Sequence, residues 1–84
     1  MFFKSKNNEI LTNGVTIYFV TKKINVNNKE EWQIRMVSAV NIEQRPMNEY
    51  LDCTKGILLY NHSSKEDVMN TLTKMAKNLR AINL

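Results

Sequence analysis

The sequence contains very few of the residues from which small catalytic and metal sites are usually built. It has one cysteine and one histidine, so an internal disulfide and a cysteine zinc cluster are both excluded. With only two glycines, it cannot contain a glycine-rich phosphate loop. A single thiol is typical of a reducing compartment, and we therefore expect a cytoplasmic protein.

Long apolar runs are also missing from the sequence. No segment approaches the roughly 20 apolar residues that cross a bilayer, and the first residues become charged too soon for a signal peptide. We therefore expect no membrane partner. The length of 84 residues predicts one domain, residues 1–84, with a core small enough that a homodimer is a reasonable state.

The charge balance is moderately basic, with twelve Lys and Arg residues against eight Asp and Glu residues and a net charge of +4. A positive charge favours encounters with polyanions such as nucleic acids. The basic residues are scattered along the chain, however, which is typical of an ordinary solvated surface. Charge alone therefore favours no partner class.

The clearest element is a helix predicted over residues 63–84. Its apolar residues recur at intervals of three and four and form one stripe: Val68, Leu72, Met75, Leu79 and Ile82. Either Ser63 or Ser64 can cap the first turn, and Glu66 follows Ser63 at the spacing of a capping box. A stripe this regular predicts burial against another layer of structure.

Upstream of the helix the sequence predicts strands. Residues 15–26 and 32–42 are rich in β-branched and aromatic residues and predict a long antiparallel hairpin. Alternation in the first strand is interrupted, which indicates either a bulge near residues 21–23 or a strand covered on both faces. Residues 1–13 are interpreted as a frayed N-terminus.

A second, shorter hairpin is predicted after Pro46, which cannot lie inside a central strand. Residues 50–53 and 57–60 flank a triplet ending in Gly56, which suits a three-residue turn with glycine at positive φ. Residues 50–53 could equally form a loop. The predicted fold is α+β, an antiparallel β-sheet of three to four strands in β-β-(β)-β-α order, covered on one face by a single C-terminal amphipathic helix.

The candidates for chemistry do not form a convincing site. Pairing across the second turn separates Cys53 from His62 by roughly 15–17 Å, far beyond hydrogen-bond reach. With Asp52, these two residues are the closest set of metal ligands, and no second Cys or His completes it. We therefore predict no catalytic residue, no cofactor site and no metal site, and a protein that is not an enzyme.

Apolar and aromatic residues outside the predicted core suggest protein binding instead. The candidates lie on the exposed sheet face or in the irregular segment after it: Tyr18, Val37, Ala39, Met47, Tyr50 and Leu51. Such residues are enriched in interface cores, and a hairpin edge can pair with another chain. The leading hypothesis is a small non-enzymatic binding protein, of the phage or mobile-element type that inhibits or modulates a host factor. Its partner would be another protein, or a second copy in a homodimer.

The alternative is a nucleic-acid-binding module that uses the outer face of the hairpin sheet. Its contacts would come from Lys22, Lys23, Arg35 and Arg45. A two-stranded ribbon fits the major groove, and such side chains reach phosphates or base edges. Acidic residues on the same hairpin interrupt the positive field: Glu30, Glu31 and Glu43.

Overall fold

The computed structural model of the protein describes residues 1–38 and 56–84, which form a six-stranded mixed sheet and one helix. The elements in chain order are β1 (Phe3–Lys4), β2 (Ile10–Thr12), β3 (Thr16–Ile24), β4 (Glu30–Ser38), β5 (Ile57–His62), α1 (Lys65–Asn78) and β6 (Ile82–Asn83). Their order across the sheet is β5-β4-β3-β2-β1-β6, and β1–β6 is a parallel pair in an otherwise antiparallel sheet.

The α+β class with one C-terminal helix is confirmed, but the predicted strand count of three to four is too low. The additional strands are β1, β2 and β6, each only two or three residues long. Segments this short contain no recognisable alternation. Their pairing with one another and with β3, rather than local pattern, makes them part of the sheet.

The N-terminal residues are ordered into β1 and β2, so the prediction of a frayed terminus is wrong. A tight turn joins the two strands, with Asn8 at a φ of 60° and the Ser5 N–H bonded to the Ile10 carbonyl at 2.9 Å. Asparagine tolerates this left-handed conformation better than most residues. Leu11 of β2 is fully buried, and its burial anchors the segment to the core.

Strands β3 and β4 form the long hairpin that the sequence predicts. Their register runs without interruption from Thr16–Ser38 to Ile24–Glu30, so the suggested bulge near residues 21–23 does not occur in this pair. Strand β3 is instead buried on both faces, because Phe19 and Val20 are neighbours in sequence and both are buried. The alternative reading of the interrupted alternation is thus the correct one.

The hydrophobic core lies between the sheet and the helix. Six buried residues form it, three from strands and three from α1: Leu11, Val20, Ile34, Val68, Leu72 and Ala76. Each large side chain buried in this way contributes about 1.5–3 kcal/mol relative to exposure. The first half of the predicted apolar stripe is therefore confirmed as the buried face of the helix.

The helix begins at Lys65 with Ser64 as its N-cap. The Ser64 hydroxyl accepts a hydrogen bond from the Asp67 backbone N–H at 3.4 Å, which decides between the two serines that the sequence left open. The third helical position is consequently Asp67 and not Glu66, and the Ser64 N–H donates to His62 Nδ1, so the predicted capping box with Glu66 is wrong.

The helix ends at Asn78, several residues before the predicted end. Arg80 has a φ of 53°, its N–H bonds to the Lys77 carbonyl, and the Ala81 N–H bonds to the Ala76 carbonyl, which together form a Schellman motif. This turn redirects the chain into β6, where Ile82 pairs with Phe3 of β1. Leu79 is 39% exposed, so the predicted stripe does not extend to it or to Ile82.

Candidate functional site

The most unusual surface of the described chain is the start of β5, at one edge of the sheet. Three consecutive large apolar residues are exposed there, Ile57 by 59%, Leu58 by 44% and Leu59 by 45%. We call these three residues the edge patch. Consecutive exposed apolar residues of this length are disfavoured on a soluble surface unless they have a function.

A bulge in β5 shapes the edge patch. Ile34 of β4 pairs with Tyr60, but the next residue, Arg35, pairs with Leu58, so Leu59 is the extra residue on β5. Bulges bend a strand and re-aim side chains, and they are common at sheet edges. The bulge interrupts the regular spacing of backbone N–H and C=O groups along this edge. A partner would therefore contact the side chains of the patch more readily than it would pair with the backbone as another strand.

Gly56 holds the start of β5 close to β4. It has a φ of +111°, and a Cβ atom placed on it would lie 2.7 Å from the Met36 carbonyl oxygen and 2.8 Å from Val37 Cγ1. The positive φ agrees with the glycine turn predicted from the sequence. The Gly56 carbonyl oxygen also accepts a hydrogen bond from Arg35 Nη1 at 3.2 Å. The edge patch therefore starts from a fixed point on the sheet.

A row of polar side chains lies beside the edge patch on β4 and β5. Arg35 Nε donates to Gln33 Oε1 at 2.8 Å, and Gln33 Nε2 donates to Glu31 Oε2 at 2.9 Å. Asn61 Nδ2 donates to the other Glu31 oxygen at 2.8 Å. These hydrogen bonds from Gln33 and Asn61 lower the pKa of Glu31 below its ordinary value of 4.5. The row fixes the orientation of Arg35.

On the opposite face, the end of β5 is tied to the first turn of α1. The Tyr60 hydroxyl donates to Asp67 Oδ1, and this hydrogen bond raises the pKa of Tyr60 above its ordinary value of 10.0. The rings of Tyr60 and His62 stack with their centroids 6.5 Å apart. His62 Nδ1 accepts the Ser64 N–H at 2.9 Å, so this histidine serves the helix cap.

Trp32 lies on the helix-covered face between two cations. Lys65 Nζ is 4.8 Å from its ring centroid and Lys22 Nζ is 5.9 Å away, both within cation–π range. Lys65 also pairs with Glu9 at 3.0 Å. Trp32 is half-buried and packs against the core.

The predicted protein-binding residues do not form one surface in the described part of the chain. Tyr18 pairs with Met36 and packs against the core beneath the helix, whereas Val37 lies on the opposite face of β4. The expectation that Tyr18 joins Val37 on the exposed face is therefore wrong. The remaining predicted residues lie outside the described ranges: Ala39, Met47, Tyr50 and Leu51.

The predicted nucleic-acid contacts are likewise separated. Lys22 pairs with Glu30 at 3.3 Å, Lys23 is opposite Glu31 on the other face, and Arg35 is held in the polar row. The fourth, Arg45, lies outside the described residues. Opposite charges accompany each of the two lysines, so the described hairpin presents no continuous basic surface.

Residues 1–38 and 56–84 contain no group of three or more His, Cys, Asp or Glu side chains that could hold a metal. Cys53 lies outside these ranges, so its predicted separation from His62 stays a prediction. The edge patch was missed in the sequence, although the run Ile57-Leu58-Leu59 was visible. An unbroken apolar run in a short strand could have indicated that apolar side chains lie on both faces of the strand, or that the strand contains a bulge.

No model of a protein family, no curated protein and no solved structure gives a significant match to this chain. Among the described residues, no helix is long and apolar enough to span a membrane.

Proposed function

We propose that the protein is a small non-enzymatic binding domain that contacts another protein through the edge patch. The observation that carries the proposal is the exposure of three consecutive large apolar residues on the outermost strand, Ile57, Leu58 and Leu59. Burying such side chains in an interface removes apolar area from water and supplies the driving force for association.

The surroundings of the edge patch support a specific contact. The polar row beside it, which includes Arg35, is held in place by successive hydrogen bonds. Interfaces combine an apolar centre with a polar rim. Gln33 is itself buried, but the half-buried Arg35 is held in place beside the patch and loses little conformational freedom on binding. The bulge at Leu59 favours side-chain docking over extension of the sheet.

The proposal includes a cytoplasmic location, since the single thiol of Cys53 suits a reducing compartment. It also includes a role as an inhibitor or modulator of a host factor, of the kind found among phage and mobile-element proteins. A domain that acts by covering a partner's surface requires no catalytic groups of its own. A second copy of the chain is the simplest partner to test first.

The test compares Leu58→Gln with Val26→Gln. Both changes replace an exposed aliphatic side chain by a neutral amide, but Val26 is 99% exposed in the β3–β4 loop, away from the edge patch. Self-association is measured by sedimentation equilibrium, and capture of cellular proteins by tagged wild-type and variant chains is quantified by mass spectrometry. Circular dichroism checks that both variants fold.

We expect Leu58→Gln to weaken the interaction roughly tenfold or more, as truncation of a central interface residue does, while Val26→Gln leaves it unchanged. Equal behaviour of both variants and the wild type would contradict the proposal. Binding of duplex DNA that weakens steeply with salt and is insensitive to Leu58→Gln would instead support the nucleic-acid alternative.

A further inference from the structure

A basic concavity lies at the opposite edge of the sheet from the edge patch. It is bounded by β1, the last turns of α1 and the segment leading into β6, and its volume is about 440 Å³. Seven residues line it, three of them cationic and none acidic: Lys4, Thr73, Ala76, Lys77, Arg80, Ala81 and Asn83. Pockets for small ligands have volumes of this order.

Lys4 is the central residue of the concavity, because it is only 6% exposed. Its ammonium group donates to the Thr73 hydroxyl at 2.8 Å, and that hydroxyl in turn donates to the Met69 carbonyl at 3.0 Å. The Thr73 oxygen is therefore oriented to accept from Lys4. An ammonium group has three donors, so two remain beyond the contact with Thr73.

The charge of Lys4 has no acidic partner within residues 1–38 and 56–84. Most of the Lys4 side chain is covered, but its ammonium group bonds the hydroxyl of Thr73, an exposed residue, and so stays accessible to a ligand from the concavity. The same ion-pair geometry shows no acidic partner for Lys77 or Arg80 in these ranges. Three cationic side chains therefore share one concavity, and none of them forms an ion pair with an acidic side chain of the described residues.

The helix dipole explains only part of this arrangement. Lys77 and Arg80 lie at the negative end of α1, where cations are favourable without any ligand. Lys4 comes from β1 and reaches Thr73, which precedes the last turn of the helix, so the dipole does not account for its burial. In addition, the last-turn carbonyls of Ala76 and Lys77 already accept backbone N–H groups in the Schellman motif.

We propose that this concavity binds the phosphate group of a small phosphorylated ligand. The ammonium group of Lys4 contacts a phosphate oxygen, and Lys77 and Arg80 supply the remaining positive charge. Ala76 and Ala81 have small side chains, which leave space for the rest of the ligand. Hydrogen bonds between such cations and a phosphate are of the strong, charge-assisted kind.

The test follows backbone amide NMR signals during titration of the full chain with inorganic phosphate, against sodium chloride at matched ionic strength. With a millimolar dissociation constant, about 10 mM phosphate nearly saturates the site. We expect saturable shifts at Lys4, Thr73 and Asn83 that chloride does not produce. Ribose 5-phosphate should shift the same signals at lower concentration, because it adds contacts beyond the phosphate.

Lys4→Met removes the charge and keeps an unbranched side chain that is one atom shorter, and Lys74→Met makes the same change on the exposed surface of α1. We expect Lys4→Met to weaken phosphate binding roughly tenfold or more, the effect of losing one charged hydrogen bond. Lys74→Met should bind as the wild type does. If Lys4→Met does not fold, Arg80→Gln replaces it, with a weaker but still measurable loss expected.

Three results would overturn the proposal. The first is the absence of saturable shifts at Lys4, Thr73 and Asn83. The second is equal weakening by Lys4→Met and Lys74→Met, which would indicate a diffuse charge effect. The third is salt-sensitive binding of duplex DNA through the same residues with no response to inorganic phosphate or ribose 5-phosphate.

Discussion

The two ends of helix α1 are stabilised by different kinds of group. At the N-terminal end side chains stabilise the helix, since Ser64 accepts a backbone N–H and Asp67 accepts the Tyr60 hydroxyl. At the C-terminal end backbone groups stabilise it, because the N–H groups of residues 79–81 bond to helix carbonyls. A side-chain cap requires particular residue types and is visible in a sequence, whereas a backbone cap without glycine is not.

The apolar residues of the helix and of its C-cap differ in burial, and this difference gives the largest expected effect on the free energy of unfolding. Leu72→Ala should lower the free energy of unfolding by about 2–5 kcal/mol, because it leaves a cavity in the core. Leu79→Ala, at a position 39% exposed, should lower it by only about 1 kcal/mol or less. Urea unfolding followed by circular dichroism measures both. Equal losses would mean that the C-cap residue Leu79 is buried as well.

The N-cap gives the next largest effect. Ser64→Ala should destabilise the fold by about 1 kcal/mol, the usual effect of losing a serine cap. Ser63→Ala is the matched control and should stay within about 0.5 kcal/mol, as an exposed substitution outside the cap. The same urea titration applies. A larger loss at Ser63 than at Ser64 would show that the helix starts one residue earlier.

At the other end the expected change has the opposite sign. Arg80→Gly should raise stability by up to about 1 kcal/mol, because glycine adopts positive φ without the penalty that arginine incurs at 53°. Lys74→Gly, within the exposed part of the helix, should lower stability by about 1 kcal/mol. Thermal unfolding of both variants tests the contrast, and destabilisation by both would argue against a left-handed residue 80.

The smallest expected effect concerns pH. The hydrogen bond to Asp67 raises the pKa of Tyr60 above 10.0 in the folded protein. Its contribution to stability is therefore fully present below pH 10.0 and is lost as the pH rises through the higher folded pKa. The difference in unfolding free energy between wild type and Tyr60→Phe should be constant at neutral pH and shrink in alkali. The variant Asp67→Asn should abolish this alkaline decline.

The helix and the long hairpin were predictable because their patterns are local and repeated. Val68 and Leu72 recur at helical spacing, and β3 and β4 are rich in strand-forming residues around an asparagine-rich turn. The turn itself contains Asn28 at a φ of 60°, a conformation that asparagine tolerates.

The early end of the helix was not predictable by the same reasoning. Leu79 and Ile82 continue the helical spacing, and no glycine or proline marks the stop, because Arg80 takes the left-handed position. The short strands β1, β2 and β6 owe their pairing to residues distant in the chain. Nothing within two or three residues indicates such pairing.

The edge patch and the basic concavity also depend on contacts between segments that are distant in the sequence. The edge patch became recognisable only when the sheet order placed β5 outermost. The basic concavity unites Lys4 with Thr73, Lys77 and Arg80, which lie about seventy residues later in the sequence. In the sequence alone, the helix dipole is sufficient to explain the cations near the end of α1, and nothing indicates that a lysine from the first strand lies beside them.

The parallel pairing of Phe3 with Ile82 places the first and last strands side by side, with residues 1 and 84 at opposite ends of the strand pair. Proteins with adjacent ends generally tolerate circular permutation. A glycine-rich linker that returns along this strand pair could join residue 84 to residue 1, and new ends could be opened in the solvent-exposed turn at Val26. Reporter fusions could then be attached at the β3–β4 turn and not beside Lys4.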